Sequence, residues 1–177
     1  MQNYSDEKLV EIYRLNTGNQ RRNAFDCLYV RYLDNLRNYF FFALGRDNEK
    51  AKDFAHDLFI KILESPEKFD PSRNFKPWLY RVASNMCKNE YRQNDVIGKY
   101  KSFATASDPD FESSGKEIVN LRECLKQLKP EKRSLIVLRF KIKLSINEIA
   151  QIYECPGGTI KSRLFYAIKE LSEIYKR

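Results

Sequence analysis

Thr159, Lys161, Ser162, Arg163, Phe165, Tyr166 and Lys169 lie in one short run that also carries Ile160, Leu164 and Ile168 at intervals of four. If the run is helical, the aliphatics turn inward and Lys161, Ser162, Phe165, Tyr166 and Lys169 share an outer face. Lysine suits guanine acceptors or phosphate, and an aromatic edge suits a thymine methyl. Thr159 and Arg163 suit the nucleic-acid backbone. Such a helix needs a partner to set its angle, and Leu144 to Tyr153 supplies one. Ser145 and Glu148 have capping-box spacing, and Ile146, Ile149, Ala150 and Tyr153 form an apolar face. Glu154-Cys155-Pro156-Gly157-Gly158 then breaks the run, with Pro156 suited to the first position of a new helix and the glycines to close approach. The pattern predicts a helix-turn-helix whose second helix enters a DNA major groove.

A second basic stripe lies upstream. Periodicity predicts a helix from about Phe75 to Gln93, with Trp78, Leu79, Val82, Ala83 and Met86 inside and Pro77 tolerated in the first turn. Trp78 is expected in the core rather than as a stacking platform. Arg81, Asn85, Lys88 and Arg92 form one outer stripe, which suits phosphates and bases or is a solvated face. Asn89 stands beside it and can read a base edge. Ser72 to Lys101 holds seven cations, Lys76 among them, against two acids. Pro130 to Arg177 holds ten against five. Two basic helical modules on one tether suit bivalent engagement of a nucleic acid, where effective concentration raises affinity.

Further helices are expected over Ser5 to Leu15, Arg21 to Leu44 and Glu49 to Glu64, with Gly45 as a stop and Asp47 or Asn48 as a cap. Leu58, Ile62 and their neighbours make the inner side of the third helix, while Lys52, Asp53, His56, Asp57 and Lys61 make its polar side. Ser65 to Ser72 reads as a loop from its prolines and small polar residues. Periodicity fails from Asp95 to about Ser114, a flexible-linker composition, and resumes at Lys116 to Leu128 and Pro130 to Phe140. The expectation is an all-α chain of two helical domains, 1–94 and 115–177, joined by a flexible linker at 95–114, the C-terminal domain a helix-turn-helix.

Composition narrows the function classes. The chain has 177 residues, a net charge of +8 and a pI of about 9.3, and 32% of it is charged. A polyanionic partner is favoured. No run approaches the ~20 apolar residues of a membrane span. The opening MQNYSDEKLVEIYRL is not a signal peptide pattern, so no membrane insertion and a cytoplasmic location are expected. Cys27, Cys87, Cys124 and Cys155 lack paired spacing and His56 is the single histidine. Zinc and Ser-His or Cys-His catalysis are therefore not expected, and the thiols read as reduced and mostly buried. No nucleotide-hydrolysis loop or carboxylate dyad argues for an enzyme. No cofactor, metal or small-molecule substrate is expected.

Two stretches together resemble a known family. AKDFAHDLFIKILESPEKFDPSRNFKPWLYRVASNMCKNEYR, Ala51 to Arg92, resembles region 2 of the extracytoplasmic-function (group 4) sigma factors, in the bacterial sigma-70 family. LKPEKRSLIVLRFKIKLSINEIAQIYECPGGTIKSRLFYAIKEL, Leu128 to Leu171, is similar to their region 4. The resemblance implies a transcription initiation factor that binds core RNA polymerase and promoter DNA and helps open the −10 region. It implies −10 contacts from Lys76, Arg81, Asn85, Lys88, Asn89 and Arg92. The loop Ser65 to Asn74 resembles the segment that holds a flipped base, with Phe69 and Asn74 as members, although a simple interhelix turn remains open. The Thr159–Lys169 face would meet the −35 element. Asp53, His56, Asp57, Phe59 and Lys61 lie where relatives contact polymerase. An anti-sigma factor is a further partner the resemblance suggests. The alternative reading is a stand-alone helix-turn-helix regulator acting without polymerase.

Overall fold

The helices begin where short polar side chains can satisfy free backbone amides. Ser5 accepts from the Lys8 amide at 3.2 Å and starts α1, Asp6–Leu15. Asp47 accepts from the Lys50 amide at 2.9 Å and starts α3, Asn48–Glu64. Between them runs α2, Gly18–Ala43, which opens three residues earlier than its apolar period suggested, with Gly18 at its start holding φ +58°. Gly45, at φ +85°, turns the chain out of α2. After α3 come a 3-10 turn at Pro66–Lys68 and then α4, Phe75–Gly98. The C-terminal part holds α5 (Lys116–Gln127), α6 (Pro130–Ile136), a π-type turn (Val137–Lys141), α7 (Ile146–Tyr153) and α8 (Gly157–Tyr175).

This computed structural model describes residues 1, 3–45, 47–70, 72–98 and 116–176, and of 94–98, 116–120 and 122 the backbone alone. Every regular element among them is helical. Helix α4 continues to Gly98, past the expected end at Gln93, and residues 99–114 of the expected linker lie outside the described residues.

The N-terminal helices bury Leu9, Leu36, Phe40, Leu58 and Leu79 completely. Around them, Phe25 meets Phe59 edge-on at 5.8 Å, and Tyr32 meets Phe75 at 5.7 Å. Glu7 of α1 accepts from the Phe75 amide at 2.9 Å, so α1 caps the start of α4 across the core. Burial raises the Glu7 carboxyl, but the bonds to Phe75, its own amide and Ser5 outweigh that and leave it lowered.

The two halves are packed together. The apolar core is continuous from Leu36, Tyr39 and Ala83 into Leu135, Leu138, Ile149 and Ile152. At the seam the buried Tyr39 hydroxyl lies 2.8 Å from Ser134 Oγ, and the Tyr153 hydroxyl donates to the same oxygen at 3.3 Å. Arg133 donates to the Tyr91 hydroxyl at 3.3 Å, and Tyr91 in turn donates to the Ala43 carbonyl. Cys87 is buried here, which pushes its thiol up to about 12.

Gly45 and Gly158 both have open space where a side chain would stand, but only Gly45 has a positive φ. Gly45→Ala is therefore expected to lower stability by about 1 kcal/mol, while Gly158→Ala, inside α8, raises it by about 0.5 kcal/mol. Urea unfolding of both variants checks the contrast.

Candidate nucleic-acid interface

The capping box expected from Ser145 and Glu148 is present: the Ser145 amide donates to Glu148 at 2.7 Å and the Glu148 amide to Ser145 Oγ at 3.2 Å. Helix α7 ends at Glu154, which takes the left-handed conformation with φ +50°. Pro156 then stands one position before α8 rather than inside it. At Gly157 an added Cβ would stand 3.4 Å from Ile146 Cγ2, an ordinary van der Waals contact, so the turn does not depend on glycine there for the close approach expected of it. Gly158 faces open space.

Helix α8 buries Ile160, Leu164 and Ala167, and the expected third inner residue, Ile168, is exposed. Each four-residue step overshoots a helical turn by about 40°, so two such steps carry Ile168 off the face where Ala167 remains. On the opposite side Lys161, Ser162 and Lys169 are exposed, with Phe165 at 64% and Tyr166 at 60%. The two rings meet edge-on at 5.5 Å. Arg163 flanks this face and is exposed, and Thr159 at its start is half-buried. No side chain caps α8, which leaves its first amides suited to an anion such as phosphate.

The loop before α4 is built around an Asx turn, in which the Ser72 amide and hydroxyl both donate to Asp70 Oδ1, at 2.9 and 2.7 Å. These bonds hold the Asp70 carboxyl below its ordinary range. Phe69, expected as a base-contacting residue, is corrected: it is 1% exposed. Its ring packs against Phe75 at 5.3 Å and Trp78 at 5.2 Å, and its carbonyl accepts from Arg14 at 3.2 Å. The loop bends because Phe69 is anchored inward. Asn74 is exposed at the end of the loop. It lines a cleft of about 440 Å³ with Ser72, Arg73, Pro77, Trp78, Arg81, Gln151 and Glu154. Trp78 is half-buried, packed into the aromatic cluster yet bordering this cleft.

On α4, Asn85, Asn89 and Arg92 are exposed, but the stripe is not the continuous solvent face its spacing suggested. Arg81 is half-buried and pairs with Glu154. Lys88 is half-buried and stands 5.5 Å from the Tyr153 ring centre. Lys76 Nζ lies 3.8 Å from Glu148. Periodicity within α4 cannot reveal that α7 lies across it.

On α3, Asp53, His56, Asp57 and Lys61 are exposed, and His56 stacks on Tyr29 at 6.4 Å. Phe59 is corrected: it is 3% exposed, with Tyr29 at 4.8 Å. Its position borders the polar side, and aromatic partners from α2 draw it inward. Ile60 was missed, although it is an apolar residue out of phase within the charged stripe and is 48% exposed. Among the described residues no cluster of His, Cys, Asp or Glu could hold a metal ion, and no helix is long and apolar enough to cross a membrane.

These two basic helical surfaces coincide with two family models. Sigma-70 region 2 matches residues 28–96 and sigma-70 region 4 matches residues 124–173. The chain is 33% identical to the ECF RNA polymerase sigma-E factor of Escherichia coli K12, covering 92% of this chain and 90% of that one. It is 29% identical to the RNA polymerase sigma-H factor of Pseudomonas aeruginosa, over 92% of this chain and 89% of the other. Among solved structures, it is similar to the sigma factor RpoE of Bartonella quintana, crystallised with the anti-sigma factor NepR. That match has a TM-score of 0.70 and 25% identity and covers 86% of this chain and 96% of that one. CnrH, solved with the cytosolic domain of CnrY, shares the fold, with a TM-score of 0.71 at 22% identity over 97% of each chain. The chain belongs to the sigma-70 family. Within it, it is an RNA polymerase sigma factor of the extracytoplasmic-function type. The region 2 match disfavours the stand-alone regulator.

Two outcomes follow from the geometry. Phe69→Ala should cost about 3–5 kcal/mol in urea unfolding because it empties a buried aromatic site, whereas Asn74→Ala should stay within about 0.5 kcal/mol. The pH dependence concerns Glu148. Burial raises its carboxyl, but the Ser145 amide and hydroxyl and then Lys76 outweigh burial and hold it low. A depressed carboxylate contributes fully above its unfolded value, near 4.3, and loses that contribution as pH falls through the folded value. The melting-temperature gap between the native chain and Glu148→Gln should therefore be constant near neutrality and close below about pH 4.

Proposed function

We propose that this sigma factor grips a promoter at two points, with the residues at about 1–94 serving the −10 element and polymerase and those at 115–177 the −35 element. The observation that supports this best is the solvent-facing side of α8. Lys161, Ser162, Phe165, Tyr166 and Lys169 are presented outward by a helix whose opposite side is locked into the core. Lysines at either end would take guanine edges or phosphates, and the aromatic pair would meet thymine methyls. Thr159 and Arg163 would hold the backbone beside the uncapped start of α8.

The −10 contacts fall to Asn74, Lys76, Arg81, Asn85, Lys88, Asn89 and Arg92. Asn74 and the half-buried Trp78 border the cleft in which an unpaired base would be held. Asp53, His56, Asp57 and Lys61, joined by Ile60, would meet core polymerase. The protein acts without catalysis of its own and works in the cytoplasm, where transcription occurs. Capture by an anti-sigma factor is part of this proposal, since the similar Bartonella quintana protein was crystallised with one.

Run-off transcription with core polymerase tests the reading: specific starts should appear only when this chain is added. Lys161→Ala should weaken upstream footprinting by about tenfold. Arg81→Ala with Lys88→Ala should weaken −10 binding and flatten its log-affinity against log-salt slope by about two. An unchanged footprint across salt concentrations would sink the Lys161 role.

A further inference from the structure

A groove runs from the end of α4 past α6 to α8, and no promoter or polymerase contact accounts for it as a whole. Its first lobe, about 290 Å³, lies between Cys87 and Tyr91 of α4 and Pro130 and Ser134 of α6. Its second lobe, about 590 Å³, reaches from Leu135 to Ile160 and Tyr166 of α8. Lys88, Glu131 and Tyr153 line both lobes, so the two adjoin at that waist. Together they fall in the size range of small-ligand sites.

The lining is basic and aromatic at once. Lys88, Arg92 and Lys129 stand on the first lobe, and Lys88, Lys132 and Arg163 on the second. Of these five cations only Lys132 is held in an ion pair among the described residues, by Glu170. Glu131 is the one acid among the described lining residues. The buried Arg133 adds a further cation beside Tyr91, 5.9 Å from its ring centre, and its Nε has no partner among the described residues. A buried cation of this kind favours an anion nearby. Tyr91 and Tyr153 line the first lobe, and Tyr153 and Tyr166 the second. Cations alone would take any anion, and rings alone any apolar body. Two tyrosine-lined lobes that meet at an ammonium fit two planar rings joined by a phosphate. Bases stack on tyrosine through their π-faces, and a phosphate suits Lys88. Glu131 at the waist can accept an N–H from a base edge.

We propose that this groove is a dinucleotide-binding site, with one base in each lobe and the linking phosphate on Lys88. Duplex DNA hides its base faces in the stack and could not use the tyrosines, so the site differs in ligand from the outer face of α8. Lys88, Arg92, Arg163 and Tyr166 are also assigned to the promoter, so a bound dinucleotide and promoter DNA would compete for them, each weakening the other by the same factor.

Calorimetric titration of the full chain with the linear dinucleotide pApA, with AMP and with inorganic phosphate tests the site. The dinucleotide should bind at least about tenfold more tightly than AMP, because a second stacked base contributes that much, and inorganic phosphate should bind more weakly than either. Lys129 is exposed and has no promoter role. Lys129→Glu should weaken pApA binding roughly tenfold, whereas Lys176→Glu, an equal charge change at the exposed end of α8, should not. In a second arm an 8-azido analogue of pApA is photo-coupled to the native chain, and the label should be recovered on the peptides that carry Tyr91 and Tyr153. Equal affinities for pApA and AMP overturn the proposal, and so does a Lys129→Glu variant that binds like the Lys176→Glu control. Label confined to the peptides of Trp78 or Phe165 would place the dinucleotide in the −10 cleft or on the outer face of α8 and overturn it as well. These readouts use neither polymerase nor promoter, so a failure of run-off transcription would overturn the promoter reading and leave the dinucleotide site standing.

Discussion

The Tyr39 hydroxyl is buried where no solvent reaches it, and an unpaired hydroxyl at such a site costs on the order of 1–3 kcal/mol. It is satisfied by Ser134, which comes from the other half of the chain and also receives Tyr153. That requirement brings α6 onto α2 and fixes where α7 must lie, across α4. Burial raises the Tyr39 phenol well above its ordinary value and the Tyr153 phenol above its own, so both stay neutral hydrogen-bonding partners. The seam between the halves is thus a polar cluster embedded in an apolar core. Such a seam is specific when satisfied and costly when partly opened.

The same seam explains why the two basic surfaces differ. Helix α8 rests on Ile160, Leu164 and Ala167, and among the described residues no element covers its outer side, where Phe165 and Tyr166 are exposed. Helix α4 buries Leu79 and Ala83 against the N-terminal core and Tyr80, Ser84 and Cys87 as well, so its remaining cations share the surface with α7. A sigma factor must keep affinity for DNA while avoiding indiscriminate binding at a net charge of +8. Acids of its own placed on part of that charge lower the nonspecific electrostatic term, which phosphate contacts dominate.

Much of the local structure was legible from residue order. Asp47, one of two cap candidates, and the Ser145–Glu148 pair act as the caps their spacing implied, because capping is decided within four residues; Ser5, expected inside α1, caps it instead. The outward Phe165 and Tyr166 were legible for the same reason. Residues at the edge of a helical face were not. Phe69 and Phe59 looked available from sequence, and each is drawn inward by aromatic rings, those of Phe75 and Trp78 just across the loop for one and those of Phe25 and Tyr29 on α2 for the other. Ile168 failed through the small mismatch between a four-residue step and a helical turn. Ile60 stood out of phase in its stripe, a signal that could have been used.

By itself the sequence determined the all-helical fold, the order of the two basic modules and the outer face of α8. These depend on periodicity and capping, which act over a few residues, and on motifs that survive as contiguous strings. Only the tertiary structure decided that the halves share a core, that Glu148 and Glu154 stand on Lys76 and Arg81, and that Phe69 anchors its loop rather than facing a base. Each of those depends on groups many residues apart meeting in space, where burial and hydrogen-bond satisfaction set the outcome and no local pattern records it.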